Sequence, residues 1–397
     1  MKAVPVSVVL ECGLNADFKR GIDYYVDNMV DGLVEVDQRN RYLLFSFFFR
    51  EHARKSARMP HPVAPNFKTL YRRFPESLVT ALDLERGVPV VEKALLRGRR
   101  FDVYHALSGG RLPHVRGAKT VVTFFDLVVE AHPLAGGRPD PGRVISDPDT
   151  YEYARRADCL VATGDQTKKD LMRFYAIPEE KIVVIPTGVN LKVFHEVADE
   201  GERRRVRARY GLPERYLMVI GPYVPPQRTN AESTLRAYAA LRRAGTIGDC
   251  RLVFVGAEND HLRKLLGLAE DLGVRAQCST TGYVALEDLA AVYGLSSGVV
   301  HPTSIEGFGY GLEVLACGVP FITSNLPGVL ESVGGIAWTV TPNDVPAIEK
   351  AMGDVLLKPE LCREMREKGL ARAAKYSYSV VAGRLASLYE RLGAEAN

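Results

Sequence analysis

The chain has 397 residues, more than one ordinary hydrophobic core holds, so two domains of similar size are expected. Hydrophobic residues make up 46% and charged residues 25%, values typical of globular proteins that need no disulfide or metal support. No apolar run approaches the ~20 residues that span a bilayer, and residues 6–10 are too short for a signal peptide. The sequence therefore predicts a protein without membrane spans in a cytoplasmic location.

Cysteine spacing and charge narrow the class further. The six cysteines are scattered without metal-ligand spacing, which predicts reduced thiols and no metal site. Residues 1–190 carry 28 Lys and Arg against 24 Asp and Glu, and the excess lies within residues 50–100. This excess indicates either an ordinary solvated surface or attraction to an anionic membrane face or acceptor. Nucleic acid is not an expected partner, because no basic stripe with interspersed aromatic residues accompanies the charge.

The first half of the chain alternates short apolar runs with amphipathic stretches, which favours α/β layers with parallel strands. A helix is predicted after residue 21, because five apolar residues between 22 and 33 fall on one face. Residues 50–75 and 130–150 are predicted to be loops. Strands are predicted at 6–10, 42–49, 103–105, 120–125, 159–162 and 181–185.

The second half repeats this alternation after a charged stretch at 199–209, which fits a linker or a surface helix. Its strands are predicted at 216–220, 251–255, 298–301 and 320–323, and its helices at 231–243, 260–272, 311–317, 346–357 and 359–375. The last helix, 380–392, has an apolar face. The order predicts two Rossmann-like domains facing a cleft, residues 1–195 and 196–377, with residues 378–397 returning to the first domain.

One loop combines glycines with two carboxylates directly after a predicted strand. Its glycines allow backbone N–H groups to approach a ligand closely, and the helix that follows directs its positive end toward that ligand. A diphosphate suits such a site, and the carboxylates suit sugar hydroxyls. Alternatively, the glycines form a tight turn and Glu313 complements the helix dipole. The loop consists of Glu306, Gly307, Phe308, Gly309, Tyr310, Gly311, Leu312 and Glu313.

Three segments carry a resemblance to a known family. Residues 282–320, with TGYV, EDLAAVY and VVHPTSIEGFG followed by LEVLACGVP, resemble the donor-binding half of the family 4 glycosyltransferases. Residues 157–194 are similar to the segment of that family that crosses between domains, and residues 20–33 to its first glycine loop and helix. The matches occur in order along nearly the whole chain.

The resemblance implies a GT-B fold and retaining transfer of a sugar from a nucleotide diphosphate, with no obligatory metal or other cofactor. Glu306 would contact the transferred sugar, and Glu313 would hold the ribose. Gly21 would face the diphosphate or the acceptor. The remaining donor-binding residues implied are Gly307, Phe308, Gly309 and Tyr310 in the loop, and Tyr283 and Val284 against the base.

The sequence departs from the family pattern at three places. Glu306 and Glu313 enclose six residues, where the family has seven. Phe125 stands where the family commonly has histidine. The loop at 221–230 is longer than that of the family by about two residues; no residue in it clearly replaces the family's arginine, and Arg228 is the best replacement for its lysine. A cation at that position would stabilise the charge that develops on the leaving diphosphate. Asp126, which follows Phe125, is either an acceptor-side base or a helix cap.

Two further residues have a structural and a functional interpretation. His105 ends a predicted strand, where a satisfied structural histidine is favoured over one that faces the cleft. Trp338 lies in the apolar run 336–340 and is predicted to be in the core.

The sequence thus predicts a hexosyltransferase that acts on a glycan, a lipid-linked or a small-molecule acceptor. The departures leave open a catalytically degenerate homologue that binds a nucleotide sugar or a partner protein. A GT-B phosphorylase or epimerase is the weaker third hypothesis, because no residue cluster supports it.

Overall fold

The computed structural model describes residues 4–13, 21–109, 112–125, 149–221, 229–304, 309 and 311–396. These residues form two compact units. The first contains the described residues up to 125, residues 149–188 and residues 378–396, and the second contains those from 189 to 377. Across the described residues, no helix is both long and apolar enough to cross a membrane.

The first unit is built on a parallel sheet with strand order β3-β2-β1-β4-β5-β6-β7. Its strands are β1 (Ser7–Glu11), β2 (Arg41–Phe48), β3 (Phe67–Arg73), β4 (Val103–Ala106), β5 (Lys119–Phe124), β6 (Cys159–Ala162) and β7 (Ile182–Val184). Its helices are α1 (Gly21–Val36), α2 (His52–Arg58), α3 (Glu76–Leu78), α4 (Asp149–Arg156) and α5 (Asp165–Tyr175), with wide π-helical turns at Val79–Leu84 and Val91–Leu95.

The second unit is built on a parallel sheet with order β10-β9-β8-β11-β12-β13. Its strands are β8 (Tyr216–Ile220), β9 (Arg251–Val255), β10 (Cys278–Thr280), β11 (Gly298–His301), β12 (Phe321–Ser324) and β13 (Trp338–Val340). Its helices are α6 (Glu200–Tyr210), α7 (Ala231–Arg243), α8 (Asp260–Asp271), α9 (Leu286–Gly294), α10 (Leu312–Ala316), α11 (Pro327–Val333), α12 (Val345–Leu357) and α13 (Pro359–Ala374).

The central strands are apolar because both faces of each sheet are covered. Every residue of β4, β6, β11 and β12 is buried. Parallel strands in such sheets appear as continuous apolar runs rather than as an alternation. The strands predicted for the centres of the two sheets are accordingly confirmed to within a few residues.

Two predictions at the sheet edges were wrong. Residues 50–75, predicted as a loop, contain α2 and the edge strand β3. Only Phe67 of β3 is buried, and a strand that is mostly polar on an edge gives no apolar run. Trp338 is not in the core: it lies half-buried on the edge strand β13, with the Lys350 ammonium 5.0 Å from its ring centroid.

The charged stretch at 199–209 is a surface helix, as one of its two interpretations predicted. Asp199 caps α6 by accepting a hydrogen bond from the Glu202 N–H at 2.9 Å. The buried carboxylate of Asp288 accepts hydrogen bonds from Arg209 at 2.9 Å and from Tyr210 at 2.8 Å. Burial acts to raise the pKa of Asp288, but the bonds from α6, led by Arg205, outweigh it and lower the pKa. Arginine side chains of α6 therefore attach this helix to α9 through the Asp288 carboxylate.

The last helix, α14 (Tyr378–Ala396), packs against α1 and the sheet of the first unit. Gly32 permits this close approach, because a Cβ there would lie 2.7 Å from the Tyr378 carbonyl oxygen. His105 Nδ1 is hydrogen-bonded to the Tyr389 hydroxyl at 2.6 Å, and its Nε2 to the Thr123 hydroxyl at 2.8 Å. Burial lowers the pKa of His105 to about 3, so the ring is neutral. The structural interpretation of His105 is confirmed.

Replacing Tyr389 with phenylalanine should therefore destabilise the fold. The substitution removes one hydroxyl and leaves a buried ring nitrogen of His105 without its partner, which costs about 1–3 kcal/mol. Urea denaturation measures the change. Ser387→Ala is the control, because it removes an exposed hydroxyl that bonds the Gly383 carbonyl in the same helix. Equal stability of the two variants would contradict a supporting role for the His105–Tyr389 pair.

Candidate functional site

The order of the second sheet reverses where β8 lies beside β11. Leu217 pairs with Gly298 and Met218 with Val299, so the carboxyl ends of these strands are neighbours. Ligands of open parallel sheets bind at such a reversal, outside the carboxyl ends of the strands. The two loops that leave this point are those in which the sequence places Arg228 and Glu306.

Several predicted site residues lie outside the described part of the chain. They are Asp126, Arg228, Glu306, Gly307, Phe308 and Tyr310. The described residues nevertheless include both ends of each loop at the strand-order reversal, and they include Gly21, Tyr283, Val284, Gly309 and Glu313.

Asn230 connects the two loops, a role that the sequence did not reveal. Its side-chain amide donates a 3.0 Å hydrogen bond to the Pro302 carbonyl, so the loop after β8 is tied to the loop after β11. Its side-chain oxygen accepts a bond from the Ser233 hydroxyl at 2.9 Å. The backbone of Asn230 is left-handed, with φ of 46°, a conformation that asparagine tolerates better than most residues. An asparagine directly before a helix was the available signal, but its partner is 72 residues away.

The glycine loop is fixed at its end. The Gly309 N–H donates a 2.7 Å hydrogen bond to the Ser332 hydroxyl, which in turn donates to the Gly328 carbonyl. Gly311 has φ of 95°, and a Cβ there would lie 2.4 Å from the Phe321 ring. A side chain is therefore excluded at Gly311 by packing, which supports the tight-turn interpretation for this glycine.

Glu313 lies in the first turn of α10, directly after this loop. Burial raises the pKa of its carboxyl to about 7, although the side chain remains accessible to solvent. The protein around it thus weakens hydration without covering it. Among the described residues it has no ion-pair partner. Near neutral pH such a carboxyl can accept a hydrogen bond or donate one, which suits a ligand rich in hydroxyl groups.

Tyr283 and Val284 follow the carboxyl end of β10. The Gly256 N–H donates a 3.1 Å hydrogen bond to the Gly282 carbonyl, which joins the chain after β9 to the chain after β10. Tyr283 is 72% exposed, whereas Val284 packs in the core of the second unit. Of the two side chains, only that of Tyr283 is accessible to a ligand.

The first sheet has its own reversal, where β1 lies beside β4. Gly21 begins α1 on the exposed surface, and a Cβ there would meet no atom within 4 Å. The space beside it is therefore open to a ligand. Glu11, the last residue of β1, is only 8% exposed, and burial raises its pKa to about 7. The sequence analysis missed Glu11, although a carboxylate that ends an apolar strand was a signal.

Phe125, which stands where the family commonly has histidine, is part of the packing of the first unit. Its ring meets the Tyr25 ring edge-on, with 4.9 Å between centroids. Its carbonyl accepts hydrogen bonds from the hydroxyls of Thr163 at 2.5 Å and Thr167 at 2.6 Å. Phe125 cannot exchange a proton, so any proton transfer at this edge needs another group.

Comparison with known proteins follows the two units. Residues 20–193 match the family model described as Glycosyltransferase Family 4, and residues 203–372 match the one described as Glycosyl transferases group 1. HepE of Anabaena, solved in complex with UDP and glucose, superimposes with a TM-score of 0.69 at 13% identity, over 96% of this chain and 99% of that chain. This likeness establishes the fold.

Two curated relatives come from Escherichia coli. The serotype-specific mannosyltransferase WbdA is 27% identical over 66% of this chain, which spans only 32% of that relative. The O-antigen chain mannosyltransferase B is 28% identical over 71% of this chain and 72% of its own length. With the two family models and the two doubly wound parallel sheets, these matches show that the chain has the GT-B fold and belongs to the family 4 glycosyltransferases.

Proposed function

We propose that the chain transfers a hexose, with retention of configuration, from a nucleotide diphosphate sugar to a hydroxyl of a glycan, lipid-linked or small-molecule acceptor. The observation that carries this proposal is the Asn230–Pro302 hydrogen bond at the strand-order reversal of the second sheet. It holds together the two loops to which the family resemblance assigns the diphosphate and the sugar.

The acceptor oxygen would attack the anomeric carbon on the face from which the diphosphate departs. The bond between that carbon and the diphosphate breaks, the new glycosidic bond forms, and the acceptor proton passes to an oxygen of the leaving diphosphate. Arg228 would stabilise the charge that develops there, and Glu306 would orient the sugar. Glu313 and Tyr283 would hold the ribose and the base, while Asp126 would lie on the acceptor side. No metal or other cofactor enters this scheme.

Mannose is the first sugar to test, because the two curated relatives are mannosyltransferases. A thermal-shift screen with GDP-mannose and UDP-glucose identifies the donor, since a ligand that binds only the folded state raises the melting temperature. Transfer to methyl α-D-mannopyranoside then tests the activity. The one-bond coupling between the anomeric carbon and its proton in the NMR spectrum of the product tests retention. Binding of a donor without transfer or hydrolysis would favour the degenerate homologue.

Replacing Glu306 with alanine should lower kcat by about a hundredfold or more, because one preorganised contact to the reacting sugar is lost. Donor turnover by mass spectrometry measures the effect. Glu364→Ala is the control: this glutamate forms an exposed ion pair with Lys368 on α13, so its loss should leave activity unchanged. Full activity of the Glu306 variant would overturn the site assignment.

Replacing Asn230 with glycine should raise the KM for the nucleotide sugar by about tenfold, the equivalent of one lost buried hydrogen bond. Glycine adopts the left-handed backbone readily, so the substitution removes the amide with little added strain. Ala176→Gly is the matched control, because Ala176 is also left-handed, with φ of 49°, but is exposed and has no hydrogen-bonding side chain. An equal donor KM in the two variants would show that the Asn230–Pro302 bond does not shape the donor site.

We also propose that the first unit binds an anionic membrane surface. A cavity of about 730 Å³ at the start of β2 and β3 is lined by Arg41, Lys68, Arg99 and Arg100. Among the described residues, no acidic side chain forms an ion pair with these four. Burial lowers the pKa of nearby Arg72, and the charges of Arg97 and Arg99 lower it further. These six residues, the cationic face, suit the negative cytoplasmic leaflet, which attracts each Lys or Arg by about 1 kcal/mol.

Reversing two charges of the cationic face should weaken membrane binding. Arg99→Glu with Arg100→Glu should reduce binding to vesicles containing 30% phosphatidylglycerol at least tenfold, by about 1 kcal/mol for each charge lost. Cosedimentation measures it. The control pair, Arg263→Glu with Lys264→Glu on exposed positions of α8, changes the net charge equally. The proposal fails if both double variants lose vesicle binding equally, or if the unmodified protein does not bind these vesicles.

A further inference from the structure

A buried carboxylate at the end of β1 has one oxygen without a partner. Glu11 Oε1 accepts a 2.8 Å hydrogen bond from the Gly13 N–H. Its Oε2 is buried and has no hydrogen-bond partner in the described structure. Burying an unsatisfied carboxylate oxygen is costly, so the fold alone does not explain this side chain.

Other buried carboxylates of the first unit are satisfied. Both oxygens of Asp37 accept hydrogen bonds, from backbone N–H groups and from the side chains of Asn40 and Tyr42. Asp83 accepts the Val91 N–H on one oxygen and the His114 N–H on the other. Glu11 differs from both, since only one of its oxygens is used.

The location of Glu11 is that of a ligand site. It pairs with Ala106 at the carboxyl ends of β1 and β4, where the strand order of the first sheet reverses. Burial raises the pKa of Glu11 against the opposing effect of the Gly13 N–H, and the negative charge of Glu76 on α3 raises it further. When Glu11 is ionised, an atom that meets Oε2 must donate a hydrogen bond, and an anionic group is repelled there.

We infer that Glu11 binds a hydroxyl group of the acceptor and selects acceptors that carry no negative charge at that position. This inference rests on the proposed transfer of a sugar. A carboxylate that accepts a hydroxyl proton also fixes the direction of that hydroxyl, so Glu11 orients the acceptor within the first unit. The hydroxyl of the sugar supplies the hydrogen bond that Oε2 lacks.

Glu11→Gln tests the inference with little change of shape. Glutamine keeps the oxygen that accepts the Gly13 N–H but presents an NH₂ group where Oε2 was, so the contact changes from acceptor to donor. The KM for methyl α-D-mannopyranoside should rise about tenfold or more, the effect of losing a hydrogen bond to a charged group. The donor KM and the rate of donor hydrolysis should remain unchanged.

Stability distinguishes binding from a structural role. Glu11 ionises near pH 7 in the fold but near its ordinary 4.5 in the unfolded chain, so its ionisation destabilises the fold increasingly as the pH rises between these values. Glu11→Gln should therefore be about as stable as the unmodified protein at pH 4 and more stable at pH 8. The titratable neighbours of Glu11 are Glu76 on α3, Cys12 beside it and Tyr104 on β4, and Asp27 on α1 acts on Cys12.

Asp37→Asn gives the opposite pattern and serves as the control. It disrupts a satisfied buried carboxylate, so it should lower stability and leave the acceptor KM unchanged. A comparison of methyl α-D-mannopyranoside with mannose 6-phosphate adds a test of charge. Glu11→Gln should reduce the ratio of kcat/KM for the neutral sugar to kcat/KM for the phosphorylated one.

The outcomes separate this inference from the proposed function. If the unmodified protein neither hydrolyses the nucleotide sugar nor transfers its sugar, the proposed function fails. If it transfers sugar but Glu11→Gln keeps the acceptor KM, the inference alone fails. A loss of stability in Glu11→Gln at pH 8 would show that the carboxylate has a partner within the chain, and would also overturn the inference.

Discussion

The parallel pairing of β8 with β11 is the constraint on which the candidate site depends. The strand order reverses at this pair, and in open parallel sheets ligands bind at such a reversal, outside the carboxyl ends of the strands. A gap of this kind exposes backbone groups that would otherwise be paired. Asn230 satisfies one of them, the Pro302 carbonyl, and in doing so fixes the distance between the two loops. A flexible loop pair would have to be ordered by the substrate itself, at a cost in binding free energy.

Charge is distributed unequally within the first unit, and the distribution suits two different ligands. Arg41 and Lys68 lie at the start of β2 and β3, whereas Glu11 ends β1. Because the strands are parallel, Arg41 and Lys68 lie toward one end of the sheet and Glu11 toward the other. Glu11 pairs with Phe45, so four residues of β2, roughly 13 Å at 3.3 Å per residue, separate it from the level of Arg41.

The sequence was sufficient for the central strands and the family, because apolar runs and linear motifs are local properties. It was insufficient where a residue's role depends on a distant partner. Asn230 is recognised only through Pro302, and Glu11 only through the absence of a partner in the fold. The edge strand β3 was missed because one buried residue does not make a pattern, and Trp338 was misplaced because an apolar run can lie on an edge. His105 was interpreted correctly since a histidine inside a strand is most often held by neighbours such as Thr123 and Tyr389.

Glu11 and Glu313 have a physical property in common that constrains the chemistry of the ligands. Each lies by the strand-order reversal of its own sheet, and burial raises the pKa of each to about 7. A carboxyl group that is half ionised near neutral pH is a poor permanent anchor for a cation, because half of the population carries no charge. It is a good partner for hydroxyl groups, which accept and donate with equal ease. Both units therefore present groups suited to ligands rich in hydroxyl groups.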